Sequence, residues 1–261
     1  MAIPLYGPER DLAVQILRCP ILSQCQGVDG YRLGCYDVTM GRLGPIHTNG
    51  FPEPWVGHLT KARLLFLSSN PGTGADPATD VPDLTADSSD DELLAYEDGA
   101  FDEDQCPGIA DGEYLRNRLG ERGKRVPYWH WVKVCAQDVW EGNPVSGRDY
   151  ALTEVVHCGS HAQYGVQSAL RTCATRYLQP VLAASPAAVV VVVGAVARGA
   201  FKEYFGVDTL DHFLGPVEVA GRKRLLVLVP HPSSPGGNRR FSERLSANQV
   251  AQVKHVLAEG R

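Results

Sequence analysis

The chain has 261 residues, of which 44% are hydrophobic and 21% are charged, and this ordinary globular composition excludes global disorder. One hydrophobic core can organise a chain of this length, so we expect one domain with insertions rather than two domains. The first residues lack the basic start and the apolar stretch of a signal peptide, and the longest apolar run, residues 187–197, is about half as long as a membrane span. We therefore expect a cytoplasmic protein.

The charge of the chain is distributed unevenly. The formal net charge is −5, yet residues 75–105 contain twelve acidic residues and no Lys or Arg, so that the remainder carries +7. A basic body is compatible with a nucleic-acid partner. Because residues 75–105 have almost no core-forming pattern, we predict an acidic surface insertion there, either a disordered loop or a lid over the basic surface.

The predicted strands and helices alternate along the chain, which predicts an α/β fold. We expect a three-layer αβα domain over residues 61–261, with a central, mostly parallel four-stranded sheet, and an N-terminal segment, residues 1–60, that packs on its core. Apolar spacing places Trp129, Val132 and Ala136 on one face of the third predicted helix. In chain order we predict a helix at 12–17, a strand at 63–69, helices at 114–122 and 128–140, a strand at 151–158, a helix at 167–184, a strand at 187–194, a helix at 195–205, a strand at 224–229 and a helix at 248–257.

The first core strand runs into the sequence Ser-Ser-Asn-Pro-Gly, which ends at Gly72. The amide of Asn70 can orient a water molecule without being ionised, while Pro71 and Gly72 let the backbone approach a substrate closely. A turn-forming Asn before Pro-Gly is common for structural reasons alone. This motif therefore becomes informative only in combination with a second one.

The last core strand runs into His-Pro-Ser-Ser, which begins at His231. An imidazole at this position can donate to a carbonyl oxygen of a departing base, and Ser233 and Ser234 can bind phosphate. Ligands of parallel sheets bind beyond the carboxyl ends of the strands, where both motifs lie. The two loops together predict one catalytic site at that edge.

A strand that ends in Ser-x-Asn-Pro-Gly and a last strand that ends in His-Pro-Ser resemble the two signature motifs of the uracil-DNA glycosylase superfamily, particularly its mismatch-specific and single-strand-selective branches. Residues 151–158, Cys173 with Tyr177-Leu178, and residues 189–201 are similar in order and spacing to the iron-sulfur family 4 enzymes. The resemblance covers roughly residues 60–257, without the acidic segment.

The resemblance implies a DNA glycosylase of base excision repair that hydrolyses the N-glycosidic bond of a flipped, damaged or deaminated base. Its partner would be single- or double-stranded DNA, and we expect a monomer that is nucleoid-associated in a prokaryote. Asn70 would position the attacking water and His231 would stabilise the departing base anion. The resemblance also implies three further sets of contacts. The flipped base would be contacted by Ser69, Pro71, Gly72 and Glu154, and an aromatic ring, that of Phe101 or Tyr114, would stack on it. The DNA would be bound by Ser233, Ser234, Arg239 and Arg240.

Basic residues cluster at 222–224, at Arg239-Arg240 with Arg244, and at 116–125. A cluster of charges is commonly only a solvated face. Arg239 and Arg240 follow the His-Pro-Ser loop, where a glycosylase places the segment that enters the duplex.

Glu154 is the main departure from the family pattern. Family 4 enzymes have Asn four residues before the strand-end Cys, and that Asn reads the pyrimidine edge as both donor and acceptor. An ionised carboxylate only accepts hydrogen bonds. We therefore expect either that uracil is a poor substrate or that burial keeps Glu154 protonated; a third reading is that Glu154 faces away in a salt bridge.

The chain has seven cysteines, and an odd number in a cytosolic protein favours free thiols or metal ligands over disulfides. Cys158 and Cys173 match the downstream cluster ligands of family 4, and Cys19 and Cys25, with Cys35 in reserve, could complete a 4Fe-4S site. Such a cluster would link the N-terminal segment to the core through its cysteine ligands. Buried free thiols in a branch without a cluster are the alternative.

Two other functions remain open. A member of the same superfamily without turnover would bind DNA and recognise damage, and Ser69 and Glu154 are compatible with this. A small-molecule enzyme with a phosphate loop is weakly supported, because the Gly-rich turn lacks the Lys-Ser/Thr of such loops. A zinc site at His157, Cys158 and His161 is a further alternative.

Overall fold

The computed structural model describes residues 8–25, 35–40, 51–72, 87–99, 109–116, 121–208 and 211–259. The strands are β1 (Leu64–Ser68), β2 (Ile109–Ala110), β3 (Tyr114–Arg116), β4 (Arg122–Arg125), β5 (Tyr150–Glu154), β6 (Val189–Val193), β7 (Phe213–Val219) and β8 (Arg222–Val229). The helices are α1 (Pro8–Leu17), α2 (Pro20–Cys25), α3 (Tyr36–Met40), α4 (Asp90–Gly99), α5 (Pro127–Val139), α6 (Val166–Cys173), α7 (Gln179–Ala184), α8 (Gly194–Phe205) and α9 (Ala247–Ala258). None of the helices among these residues is long and apolar enough to cross a membrane.

The central sheet has the strand order β5-β1-β6-β8-β7. The first four strands are mutually parallel, and β7 is antiparallel to β8. The prediction of an α/β fold with a mostly parallel sheet flanked by helices is thus confirmed. The predicted number of four strands was one too few, because β7 is an edge strand with several exposed residues and a Gly-Pro pair, so it lacks a continuous apolar run.

Alternate residues of the central strands enter two separate cores, as the period of a strand requires. Leu65 and Val190 face a core completed by α1 and the helices of residues 166–205. Phe66 and Val191 face the opposite core, which α5 and α9 complete. Helices therefore cover both faces of the sheet, which explains why its central strands read as uninterrupted apolar runs.

Several predicted helices match the structure, with two differences. The helix predicted at 167–184 is observed as α6, a π-helical turn at Ala174–Leu178, and α7. In α5 the fully buried aromatic side chain is Trp131, whereas Trp129 is only partly buried.

The helix predicted at 114–122 is wrong. These residues contribute β3 and the start of β4, which pair in a separate three-stranded sheet with β2. The guanidinium of Arg122 lies 4.3 Å from the centre of the Tyr114 ring. Pairing between strands and this cation–π contact outweigh a helical pattern that rests on few apolar positions.

The interpretation of the acidic segment as a disordered loop is also wrong for residues 87–99, because they include the helix α4. Within α4, Leu93 and Leu94 are buried in the core beside α1. Ion pairs join Asp91 to Arg10 and Asp90 to Arg18 across the two helices. Leu93 and Leu94 pack this helix against the core, although the acidic residues around them are typical of a solvent-exposed segment. The other residues of 75–105 lie outside the described part of the chain.

Arg224 does not belong to a basic surface, because its side chain is 1% exposed. Its guanidinium donates hydrogen bonds to four backbone carbonyls, those of Leu182 (2.5 Å), Ala187 (2.8 Å), Ser185 (2.9 Å) and Val219 (3.3 Å). These carbonyls lie at the end of α7, in the approach to β6 and at the end of β7. One buried cation therefore joins a helix end to two strands.

We predict that Arg224→Met destabilises the protein by about 3 kcal/mol or more, because several buried carbonyls lose their donor together. Urea unfolding would measure the change. Arg222→Met, at an exposed position of the same strand, is the matched control and should shift the free energy of unfolding by less than about 0.5 kcal/mol. Equal effects of the two substitutions would contradict this role for Arg224.

Candidate functional site

The two predicted motifs lie at the same edge of the sheet. β1 and β8 are parallel and flank β6, and neighbouring strands are spaced by about 4.8 Å. The loop with Asn70 and the loop with His231 therefore start about 10 Å apart.

Asn70 is held by hydrogen bonds within its own turn. Its Nδ2 donates to the carbonyl of Pro71 at 2.8 Å, and its Oδ1 accepts from the hydroxyl of Ser69 at 3.0 Å. The Ser69 hydroxyl in turn accepts from Nε2 of Gln163 at 2.8 Å. This relay fixes the amide so that Oδ1 is the acceptor and keeps a second lone pair for a water molecule.

Gln163 was missed from the sequence. The φ angle is 50° at Ala162 and 61° at Gln163. Positive φ is uncommon for residues other than Gly. The same loop is tied to the Asn-Pro-Gly turn, because the backbone N–H of Ser160 donates to Pro71 at 3.2 Å. Nothing in the local sequence indicates that this loop supports Asn70, and only the fold brings the two together.

His231 is held in one tautomer. The backbone N–H of Ser233 donates to Nδ1 at 3.3 Å, and the Ser233 hydroxyl lies 2.7 Å from the same nitrogen. An Nδ1 that accepts from a backbone N–H carries no proton, so the proton of the neutral ring is on Nε2. Burial lowers the pKa of His231 below its ordinary value. The ring is therefore a neutral donor through Nε2.

The loop after His231 closes on the histidine itself. Ser234 donates its backbone N–H and its hydroxyl to the carbonyl of His231, at 2.9 and 2.6 Å. A Cβ at Gly237 would collide with that same carbonyl, so the turn requires Gly there. In this arrangement Ser233 and Ser234 position the histidine, and their predicted contact with phosphate stays a prediction.

Tyr128 is the aromatic residue at this edge. Its ring stacks on that of His231, with centroids 5.6 Å apart and an interplanar angle of 7°. Tyr114 was the sequence candidate, but it lies in the three-stranded sheet with Arg122 over one face of its ring, and Phe101 lies outside the described residues. Tyr128 was missed because only tertiary packing brings the first turn of α5 to the end of β8.

Glu154 ends β5 and pairs in register with Ser68 at the end of β1. Its carboxyl group is 6% exposed. The Ser68 hydroxyl donates to Oε1 at 3.5 Å, and the buried Oε2 has no hydrogen-bond partner. Burial and the neighbouring Glu53 raise the pKa of Glu154 well above its ordinary range. The carboxyl group thus lies at the predicted site, burial favours its protonated form, and among the described residues no salt bridge to it is formed.

Two further carboxyl groups surround Glu154, and neither was predicted. Burial raises the pKa of Glu53 to about 7. Glu97 of α4 is 2% exposed, and burial together with Glu53 and Glu154 raises its pKa well above the ordinary value. Three carboxyl groups from distant parts of the chain therefore share one desolvated region, where full ionisation is unfavourable.

The predicted DNA-binding arginines differ in their environment. Arg240 forms an ion pair with Asp138 at 2.6 Å. Arg239 is exposed, and its backbone carbonyl accepts from the indole of Trp131 at 3.2 Å. The segment is therefore anchored to α5 by its backbone, with Arg239 at the surface and Arg240 partly neutralised.

Four thiols, those of Cys19, Cys35, Cys158 and Cys173, border one pocket between the N-terminal helices and the sheet. Burial raises the pKa of the Cys173 thiol to about 12. Nε2 of His157 lines the same pocket and is buried without a partner. The side chain of Cys25 lies outside the described part of the structure.

These thiols have the donor chemistry of iron-sulfur ligands and line one pocket. In the part of the chain that the structure describes, no three His, Cys, Asp or Glu side chains are grouped so as to hold a metal ion.

Neither a protein-family model nor a curated protein matches this sequence.

We predict that Glu97→Gln stabilises the protein at neutral and alkaline pH. A carboxyl group whose pKa is raised by folding contributes its full stability below the pKa of the unfolded chain, and this contribution is lost as the pH rises through the folded-state pKa. The amide does not titrate. The gain in the free energy of unfolding over the wild type should therefore be larger at about pH 8 than at about pH 4.

Urea unfolding at both pH values would test this. Glu203→Gln, at an exposed position of α8, is the control and should show no such difference. A Glu97→Gln gain that does not change with pH would contradict a raised pKa at Glu97.

Proposed function

We propose that the chain is a DNA glycosylase of the uracil-DNA glycosylase superfamily, which hydrolyses the N-glycosidic bond of a flipped, damaged or deaminated base. The observation that carries the proposal is the pairing, across about two strand spacings, of a fixed amide oxygen on Asn70 with a neutral Nε2–H on His231. An acceptor for water and a donor for a base oxygen are what this reaction requires.

In the proposed reaction the bond between C1′ and the base nitrogen breaks, and its electron pair leaves with the base. His231 donates a hydrogen bond through Nε2 to a carbonyl oxygen of the base, where negative charge develops. Oδ1 of Asn70 orients a water molecule whose oxygen bonds to C1′, and the proton that this water releases neutralises the base. Neither side chain needs to change its protonation state.

The charge distribution supports DNA as the partner. Outside residues 75–105 the chain carries +7, and Arg239 is exposed directly after the loop that holds His231. Phosphate contacts from such a surface supply affinity without sequence preference.

The proposal is tested by single-turnover excision assays on a panel of uracil, hypoxanthine, xanthine and mismatched bases in single- and double-stranded DNA. We predict that Asn70→Ala and His231→Ala each slow excision by about 100-fold or more, because each removes a group that acts in the transition state. Asn248→Ala and His255→Ala, at exposed positions of α9, are the controls and should retain wild-type rates.

Failure of the wild type to excise any base would contradict the proposed activity. If it then still bound damaged DNA selectively, the alternative of a damage-recognition protein without turnover would replace it.

We further propose that Cys19, Cys35, Cys158 and Cys173 are the residues that would hold a 4Fe-4S cluster. Bound there, the cluster would join the N-terminal helices to the core and supply no step of the reaction. Anaerobically purified protein should absorb visible light and contain about four iron atoms per chain. Cys173→Ala should abolish both signals, and Cys135→Ala, in the opposite core, should abolish neither. Iron-free, colourless wild-type protein would contradict the cluster.

A further inference from the structure

The sheet edge that carries Asn70 and His231 contains two buried polar atoms that lack a partner, and both belong to the same small group of side chains. Oε2 of Glu154 has none, although the residue is 6% exposed. The Tyr128 hydroxyl lies near Ser68 and Glu154 but outside hydrogen-bonding geometry, and it is also buried. Buried polar atoms in folded proteins are nearly always paired. Two such atoms together mark a place where a water molecule or a ligand can complete the hydrogen bonding.

These atoms are contiguous with the proposed catalytic groups. The Tyr128 ring stacks on His231, and Ser68 directly precedes the Ser69-Asn70 pair in the turn. The Ser68 hydroxyl lies between Tyr128 and Glu154. A base held beside His231 would therefore lie within reach of Glu154.

The two carboxyl oxygens of Glu154 differ in their surroundings. Oε1 accepts a long hydrogen bond from the Ser68 hydroxyl at 3.5 Å, whereas Oε2 has no partner, so Oε2 is the oxygen from which a neutral carboxyl group can donate to a ligand. The titratable groups that act on Glu154 are Glu53, from the segment before β1, Glu97 of α4 and Tyr128 of α5. None of these three can supply a positive charge to stabilise a carboxylate.

We propose that Glu154 reads the bound base as a neutral carboxylic acid, donating Oε2–H to a carbonyl oxygen on the base edge. This inference rests on the proposed glycosylase function. A carbonyl oxygen at that position of the base accepts the hydrogen bond from Oε2–H. An amino group at the same position is itself a donor, so it leaves Oε2–H without an acceptor. The site therefore selects deaminated bases over their amino-bearing parents, and Glu154 is its specificity-determining residue.

An oligonucleotide that resists cleavage separates recognition from chemistry. We expect wild-type protein to bind DNA containing 2′-fluoroarabino-uridine at least about tenfold more tightly than DNA containing the matching cytidine, because a buried polar group left unpaired costs about 1–3 kcal/mol. Glu154→Gln keeps a donor and an acceptor in the same shape and should retain this preference. Glu154→Ala should lose it, and Glu203→Gln should match the wild type.

Raising the pH should weaken binding of the uridine DNA to wild-type protein, as Glu154 ionises and loses its donor, whereas Glu154→Gln should be insensitive over the same range. Infrared spectra of the DNA-free protein provide a readout that is independent of activity. At neutral pH the C=O band of protonated carboxyl groups should be present and should decrease in Glu154→Gln.

Absence of that decrease, or equal affinity of the wild type for uridine and cytidine DNA, would overturn the inference even if excision occurs. Conversely, the band and the binding preference without any excision would refute the proposed activity and leave the role of Glu154 intact.

Discussion

The shared direction of four neighbouring strands is the constraint on which the site depends. Ser68 pairs with Glu154, and Val193 pairs with Val229, so β1 and β5, and likewise β6 and β8, end level with each other. A slip of one residue in any of these strands would exchange its two faces. A slip of β5 would point Glu154 away from Ser68. A slip of β1 or β8 would change how the loops of Asn70 and His231 are aligned at their shared edge.

The sequence was sufficient for the parts of the fold that local pattern determines. The runs at 63–69, 187–194 and 224–229 are apolar because both faces of their strands are covered, and they were found for that reason. The strand at 213–219 and the hairpin of β3 and β4 were not found. Their residues are largely polar or exposed, and pairing with neighbours, rather than burial, makes them strands.

The site shows the same division. Asn70 and His231 could be identified because each belongs to a short turn whose chemistry is visible in the sequence. Tyr128, Gln163 and Glu97 could not, since their roles arise from contacts with residues far away in the chain. The acidic composition around Glu97 predicted that the segment is exposed to solvent, yet the side chain of Glu97 is buried. The composition of a segment is an average over its residues, so it does not show that one face of a helix is buried against the core.

α4 lies next to the candidate site without belonging to the sheet. It contributes Glu97 to the carboxyl group cluster, and it is joined to α1 by two pairs of opposite charges near the surface. The Asn-Pro-Gly turn and this helix belong to one covalent stretch between β1 and β2. Insertions, deletions or exchanges within that stretch could thus change the surroundings of Glu154, while the strands, the histidine loop and the buried arginine stay as they are.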